Sequence, residues 1–474
     1  MENITLEQIL NCCGGQYFGK KEDLKKEVTG IVTDSRKVLP GNLFVPLKGE
    51  KTDGHNYIPH VLAAGALASL SEMELAGNPG NYILVESALE TMQKIAAFYR
   101  NHLGLKVVGV TGSVGKTSTK EMIASVLKER YKVHKTAGNF NNHIGLPLTI
   151  FGLKKEHEVG VLEMGISDFG EMHTLASMAN PDICVITNIG LCHLENLKTR
   201  DGILKAKTEC FYHMRENGIV ILNGLDDKLN TIKEVNGAAP VFYGREGDCA
   251  YAADVTDLGL LGIRIKLHLN REVGEVTIPI PGEHNIYNAL AAACVGHALG
   301  MKLEEICRGI ESVETIGGRN NLIHVKGLTI IDDCYNANPV SMEDSIDVLS
   351  KAGGRKIAVL GDMGELGKEE KELHAQVGAY LSKKNIDYLF CTGELSREIA
   401  REARKNPMCT VAHFTSKEEL IPALLQEVKE GDTILVKASH FMEYPEIVLA
   451  LKNGEVSYGR NDTRNAETRI SVTR

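Results

Sequence analysis

Eight residues, Thr111-Gly112-Ser113-Val114-Gly115-Lys116-Thr117-Ser118, set two glycines, a lysine and several hydroxyls directly after an apolar run, Lys106 to Val110. In a loop of this kind the backbone N–H groups and the start of the following helix cradle phosphate oxygens. Lys116 would neutralise charge at the β and γ positions, and the Thr117 hydroxyl would reach Mg²⁺. The longer Walker spacing asks for glycine at 110, where this chain has Val110, so the match is to the shorter G-x-x-G-K-[ST] form. A plain glycine turn with a surface lysine would read the same in isolation; a strand before and a helix after favour the nucleotide loop.

Two more groups follow apolar runs. Glu163, in Leu162-Glu163-Met164-Gly165, could bind Mg²⁺ through oxygen, although a lone strand-end Glu is more often a capped or solvated acid. His193 follows Asn188-Ile189-Gly190. Near cysteines a histidine is usually a packed residue, but beside a phosphate loop and Glu163 it becomes a metal-ligand candidate. Cys184, Cys192 and Cys210 around it fit no zinc spacing.

These groups need elements to hold them. Apolar strand runs at Lys106 to Thr111, Val159 to Leu162 and Ile183 to Thr187 alternate with helical periodicity, as in Lys116 to Arg130, which implies α/β architecture with parallel strands and crossover helices. In such sheets ligands sit outside the carboxyl ends of the strands, where the polar groups fall here. Gly30 to Thr33 and Leu43 to Pro46 read as strands, followed by a helix over Ile58 to Ala66; this suggests a small first α/β domain. Arg264 to Pro281 alternates like antiparallel strands, and Asn285 to Leu299 reads as a helix. A second α/β series opens near Gly318, with strands at Thr329 to Ile331, Lys356 to Leu360, Tyr388 to Cys391 and Thr433 to Val436. Domains are expected at 1–100, 101–314 and 315–454, with a polar tail at 455–474 that should be disordered.

Length and composition agree. At 474 residues the chain is about three domains long at the usual ~150 each. Its 43% hydrophobic and 24% charged residues are ordinary for a globular protein. With 53 Lys+Arg against 62 Asp+Glu the net charge is −9, which gives no basic footprint for nucleic acid. Apolar stretches fall short of the ~20 residues of a membrane span, and MENITLEQIL is no secretory signal. The 11 cysteines lack C-x-x-C spacing and are expected to be reduced thiols of a cytoplasmic protein.

A set of strings, in order, carries a family resemblance. T-G-S-V-G-K-T-S is followed by G-N-F-N-N-H-I-G-L-P-L (138–148), L-E-M-G (162–165), N-I-G-L-C-H-L-E (188–195), A-K-T-E (206–209), G-E-H-N-I-Y-N (282–288) and D-D-C-Y-N-A-N-P (332–339). Together these resemble the Mur ligases. The opening D-S-R, P-G-N-L-F and D-G-H at 34 to 55 are similar to the members that add D-alanyl-D-alanine.

The resemblance implies three domains: a UDP-sugar-binding one, a central P-loop ATPase sheet and a Rossmann-like C-terminal one. It implies an ATP- and Mg²⁺-dependent amide ligase that joins D-alanyl-D-alanine to UDP-N-acetylmuramoyl-tripeptide through an acyl phosphate in peptidoglycan precursor synthesis, working as a monomer. By resemblance, Gly112, Ser113, Gly115, Lys116, Thr117 and Ser118 hold the triphosphate. Thr117 and Glu163 serve one Mg²⁺, and His193 a second. Lys207 of A-K-T-E corresponds to a lysine that is carbamylated in the family and helps hold the second metal; residue type alone would make it a solvated surface lysine. Asn285 and Asn288, Arg319, and Asp333, Tyr335 and Asn336 face the nucleotide. Ser35, Arg36, Asp53, Gly54 and His55 match the UDP-sugar pattern, and Asn139, Asn141 and Asn142 the string that meets the peptidyl substrate. In isolation both groups would pass for turn chemistry.

Three positions depart from the pattern. Leu435-Val436-Lys437-Ala438-Ser439-His440 has Ala438 for glycine and His440 for arginine, and Lys198 stands where a glycine usually precedes the Ser/Thr. Another amino-acid-adding Mur ligase, a folylpolyglutamate synthetase-like enzyme, or a nucleotide-binding homologue without turnover are the competing readings. A dinucleotide oxidoreductase is disfavoured, since no G-x-G-x-x-G follows the first central strand.

Overall fold

The computed structural model describes residues 1–49, 52–77 and 79–454. The tail expected at 455–474 lies outside them. The chain divides into two compact units, one of Met1–Asn188, Leu204–Tyr243 and Ala291–Ile306, the other of Ile189–Ile203, Gly244–Leu290 and the chain from Cys307 on. No helix among the described residues is long and apolar enough to cross a membrane.

The first unit holds two sheets. Near the N-terminus, strands run in the order Gln16–Phe18, Tyr82–Leu84, Ala68–Ser71, Asn42–Phe44, Gly30–Val32, parallel except for the first pair. Beyond it, Val241–Tyr243, Ile219–Asn223, Ile183–Ile186, Lys106–Thr111, Val159–Glu163 and Val133–Lys135 are neighbours in that order, all parallel. Val107, Val108, Val110, Val161 and Leu162 are all buried, so both faces of the central strands are covered. That is why these strands read as continuous apolar runs rather than as alternations. The strand Val133–Lys135, at the end of the order, is only half-buried, and its Val-His-Lys sequence gave no such signal.

The second unit contains the antiparallel strands Ala250–Asp257, Ile263–Leu269 and Glu272–Ile278. A six-stranded sheet in the same unit has the order Asn321–Val325, Leu328–Asp332, Thr433–Lys437, Lys356–Gly361, Tyr388–Thr392, Thr410–Phe414. Alternate residues feed two separate cores: Ile331, Ala358, Leu360 and Leu435 enter one, Ile330, Ile357, Val359, Ile434 and Val436 the other. Only the first pair is antiparallel, closed by Lys326 and Gly327 at φ 51° and 74°. Two successive left-handed residues make the tight hairpin turn that matches strand twist. Sequence periodicity had this series begin directly with the parallel strand.

One turn is strained. Lys198 adopts φ 66° and ψ −48°, and the Thr199 N–H donates to the Leu197 carbonyl at 2.8 Å. This is the rare γ-turn with positive φ, unfavourable for any residue with a Cβ. It swings the chain into the helix Arg200–Thr208, whose first turn Thr199 caps through Oγ1 to the Gly202 N–H at 3.0 Å. Lys198→Gly is therefore expected to stabilise the protein by roughly 1 kcal/mol. The check is the urea unfolding midpoint; an unchanged or lower midpoint would show that the turn stores no strain.

Candidate active site

The glycine loop leaves the strand Lys106–Thr111 between two neighbours and enters the helix Lys116–Lys128 through Gly115, at φ 81°. No side chain caps that helix at Gly115, and the start of a helix carries partial positive charge that favours an anion. The loop's shape is imposed by the end of the adjacent strand Ile183–Ile186. The Thr187 hydroxyl donates to the Val114 carbonyl at 2.6 Å, and the Asn188 amide donates to the same carbonyl at 3.0 Å. Asn188 Oδ1 accepts from the Val114 N–H at 3.0 Å, and its carbonyl accepts from the Ser113 N–H at 3.0 Å. A Cβ on Gly112, whose φ is 148°, would lie 1.9 Å from Thr187 Oγ1. Glycine is thus required there for room as well as for backbone freedom. Lys116 folds back, its Nζ donating to the Gly112 and Ser113 carbonyls at 2.9 and 3.2 Å.

Behind the loop stands Glu163, 1% exposed. Its Oε1 accepts from the Thr117 hydroxyl at 3.1 Å and from the Asn141 amide at 2.8 Å. Its Oε2 is buried with no hydrogen-bond partner. The nearest cation is Lys120, fully buried, with Nζ 3.6 Å from Oε2, 3.0 Å from Glu121 Oε1 and donating to the Thr136 carbonyl at 2.7 Å. A buried carboxylate oxygen without a donor, next to a hydroxyl, is what a hard divalent cation needs from a protein, and Mg²⁺ usually completes its shell with water and phosphate. The donors present fit that ion. Among the described residues no group of three or more His, Cys, Asp or Glu side chains forms a ready-made cage.

Lys207 is 1% exposed, so the expectation of a solvated lysine, drawn from residue type alone, does not hold. It lines up with Ile203, Ala206 and Cys210, all fully buried at helical spacing. Ser118 is half-buried.

The peptidyl-string asparagines divide. Asn141 joins Glu163, whereas Asn142 Oδ1 accepts from the Ile144 and Gly145 N–H groups at 3.1 and 2.8 Å and organises the start of the helix Gly145–Phe151. Asn139 is exposed. In the N-terminal sheet, Asp34 accepts from the Nε, Nη2 and backbone N–H of Arg36, which lowers its carboxyl to about 2. Ser35 lies between them in the same short turn. Asp53 accepts from the His55 backbone and Nδ1, while His55 Nε2 accepts from the Glu72 N–H at 3.3 Å. Gly54 packs against Leu47 and Pro46 so closely that a Cβ would meet backbone at 2.7 Å.

In the second unit a polar cluster collects at the carboxyl ends of Leu328–Asp332 and Thr433–Lys437. Asp333 Oδ2 accepts from Ser345 Oγ at 2.6 Å and from Lys437 Nζ at 2.5 Å; its Oδ1 accepts from the Asn320 N–H at 3.1 Å. The same Nζ reaches the Asn336 carbonyl at 3.1 Å. The Arg319 guanidinium lies 4.0 Å over the Tyr335 ring, and the ring of His440 packs 5.6 Å from Tyr335. His440 thus makes a ring contact where the family pattern has a forked cation, and Ala438 is fully buried, close behind Gly361.

Asn285 and Asn288 are buried and paired, Asn288 Nδ2 donating to Asn285 Oδ1 at 2.9 Å; Asn285 in turn donates to the Pro281 carbonyl at 2.9 Å. Asn285 lies inside the helix His284–Ala298. Beside it His284 Nδ1 stands 3.7 Å from Asp344, whose carboxyl is pushed up by burial. His193 precedes the helix Leu194–Leu197 at φ 51°, its Nδ1 2.8 Å from Glu365 Oε2.

Sequence reasoning missed Thr187, Asn188 as the loop's bracket, Lys120 and Glu365. The signal for Lys120 was its place four residues after Lys116, on a helix whose following residues, Met122 and Ile123, are core.

Comparison with known proteins gives consistent findings. Residues 110–296 match the Mur ligase middle domain, 318–440 the Mur ligase glutamate ligase domain, and 27–103 the Mur ligase family catalytic domain. A UDP-N-acetylmuramoyl-tripeptide--D-alanyl-D-alanine ligase of Bacillus subtilis is 40% identical over 443 residues, covering 91% of this chain and 94% of the relative. The ligase of that name from Escherichia coli is 34% identical, covering 95% and 99%. Among solved structures, MurF from Acinetobacter baumannii superposes with a TM-score of 0.87 at 31% identity, covering 95% of this chain and 99% of that one. MurF ligase from Thermotoga maritima in complex with ADP gives 0.80 at 32%, covering 90% and 97%. A folylpolyglutamate synthase of Mycobacterium tuberculosis shares the fold alone, at 14% identity and a TM-score of 0.61.

Proposed function

The chain belongs to the Mur ligase family, and on that premise we propose that it is the ATP-dependent ligase that joins D-alanyl-D-alanine to UDP-N-acetylmuramoyl-tripeptide in peptidoglycan precursor synthesis. The observation that carries this reading is the bracketed phosphate loop with Glu163 behind it, in a chain that covers 94% and 99% of two ligases of that name. A folylpolyglutamate synthetase-like activity is the weaker alternative, since that relative is similar in fold only.

The chemistry transfers the γ-phosphoryl group of ATP to the tripeptide's terminal carboxylate. The amine of the dipeptide then adds to the acyl carbon, and inorganic phosphate leaves as the amide forms. Negative charge builds on phosphoryl oxygens throughout, so catalysis is mainly positioning and electrostatic stabilisation. In this reading Lys116 leaves its two carbonyls for the phosphate oxygens, and the uncapped helix start, with Gly112, Ser113, Gly115 and Ser118, supplies N–H and hydroxyl donors. Thr117 and Glu163 would hold Mg²⁺, which when bound shields the phosphate charge. His193 would offer a ring nitrogen to a second cation, and Lys207, as a carbamate, a carboxylate. Only the neutral amine of a lysine adds carbon dioxide, and the product is an anion with carboxylate-like oxygens.

Arg319, Asp333, Tyr335, Asn336, Asn285 and Asn288 are read as the nucleotide's other contacts. Ser35, Arg36, Asp53, Gly54 and His55 are read as those of the UDP-sugar, and Asn139, Asn141 and Asn142 as those of the peptidyl chain. Domains at 1–100, 101–314 and 315–454, a monomeric state and a cytoplasmic location complete the proposal.

The test is phosphate release with ATP, Mg²⁺, UDP-N-acetylmuramoyl-tripeptide and a panel of amines. Turnover is expected with D-alanyl-D-alanine and not with single amino acids; the reverse preference would move the chain to another ligase type. In the same assay Lys207→Ala is expected to lose turnover and to regain part of it with added short carboxylic acids. No recovery with any acid would count against a carboxylate at that position.

A further inference from the structure

His193 and Glu365 both carry positive φ, 51° and 63°, a conformation that costs a side-chain-bearing residue about 1 kcal/mol or more. They are each other's partners, Nδ1 to Oε2, at 2.8 Å. Glu365 does not ride on a loose loop. Immediately before it, the Met363 N–H donates to His374 Nε2 at 2.8 Å and the Gly364 N–H donates to Ser439 Oγ at 2.8 Å. His374 is fully buried, bonded through Nδ1 to the Glu370 carbonyl at 2.6 Å, and burial lowers its pKa, so it stays a neutral acceptor. The loop is therefore anchored on two sides while the Glu365 carboxyl remains 60% exposed.

A contact that exposed adds little stability in itself. What the contact does fix is the imidazole. A carboxylate only accepts, so in the neutral imidazole Nδ1 carries the hydrogen and Nε2 presents its lone pair. Among the described residues Nε2 has no hydrogen-bond partner. We infer that Glu365 is a positioning residue that holds His193 in the Nδ1–H tautomer and so presents Nε2 to a divalent cation. This rests on the reading of His193 as a cation ligand given above. Histidine ligands characteristically donate their second N–H to a carboxylate, and loss of that partner weakens metal binding 10- to 100-fold.

The experiment uses the full chain labelled with ¹⁵N-histidine, at pH 8 without metal, with His193 assigned by its absence in His193→Gln. The wild type should show the Nδ1–H pattern and Glu365→Ala a shift towards Nε2–H. Glu365→Gln, whose amide oxygen still accepts, should keep the wild-type pattern. Mn²⁺ binding, followed by the paramagnetic resonance of free Mn²⁺ with ADP present, should show one site weakened 10- to 100-fold in Glu365→Ala and close to wild type in Glu365→Gln. An unaltered tautomer or unaltered Mn²⁺ affinity in Glu365→Ala overturns the inference. Full Mn²⁺ affinity in His193→Gln overturns the reading beneath it, and is told apart because the tautomer shift in Glu365→Ala would persist.

Discussion

Lys116→Met should lower turnover by about 10³-fold, equivalent to roughly 4 kcal/mol of transition-state stabilisation. The lysine is the loop's positive charge, and its Nζ donates to the Gly112 and Ser113 carbonyls of its own loop. Two such neutral acceptors in a half-buried setting are worth about 1 kcal/mol to stability, so the unfolding midpoint should change little. The loss should therefore appear in kcat with the fold intact. Lys116→Arg should not restore activity, since a planar fork is too broad to replace a point charge drawn into a tight loop. Phosphate release under saturating substrates measures the effect; retention of a tenth of the wild-type rate by Lys116→Met would remove this lysine from the chemistry.

Gly112→Ala is expected to disable the protein by a different route, through geometry. The added carbon would stand 1.9 Å from Thr187 Oγ1 and 3.1 Å from the Thr187 Cβ and N, on a residue at φ 148°. Relief requires moving the end of the strand Ile183–Ile186, and with it the bonds from Thr187 and Asn188 that shape the loop. A cost of about 3 kcal/mol in stability and at least a 100-fold loss of ADP affinity should result. Adding Thr187→Ala should recover only part of this, because it removes the hydroxyl clash but leaves the two contacts at 3.1 Å. Calorimetric titration with ADP decides: wild-type affinity in Gly112→Ala would show that the loop is not held as described.

What the sequence revealed, and what it hid, follows from the kind of information each feature carries. Parallel strands covered on both faces produce unbroken apolar runs, so Lys106–Thr111, Val159–Glu163 and Lys356–Gly361 were visible, and so was whatever follows them, including Lys116 and Glu163. Edge strands such as Thr410–Phe414 bury less and read as ordinary polar chain. The bracket on the phosphate loop was hidden for a topological reason. Thr187 and Asn188 meet Val114 only because Ile183–Ile186 is the neighbour of Lys106–Thr111, and local periodicity does not encode strand order. Residue type was equally silent on Asn285 and Asn288, whose amides serve each other as readily as a ligand. Lys207 was partly legible: the buried stripe of Ile203, Ala206 and Cys210 points to the same helix face, a pattern that outweighs the usual habit of lysine.

Asn188 is the last residue of its stretch of the first unit, and Ile189 is the first of the second. Its side chain and carbonyl grip Val114 and Ser113, and five residues later the same strand of backbone carries His193. The bonds that shape the glycine loop therefore come from the residue one peptide link before Ile189, which is itself fully buried. Replacing Asn188 would thus disturb the loop's shape at the point where the backbone turns towards His193.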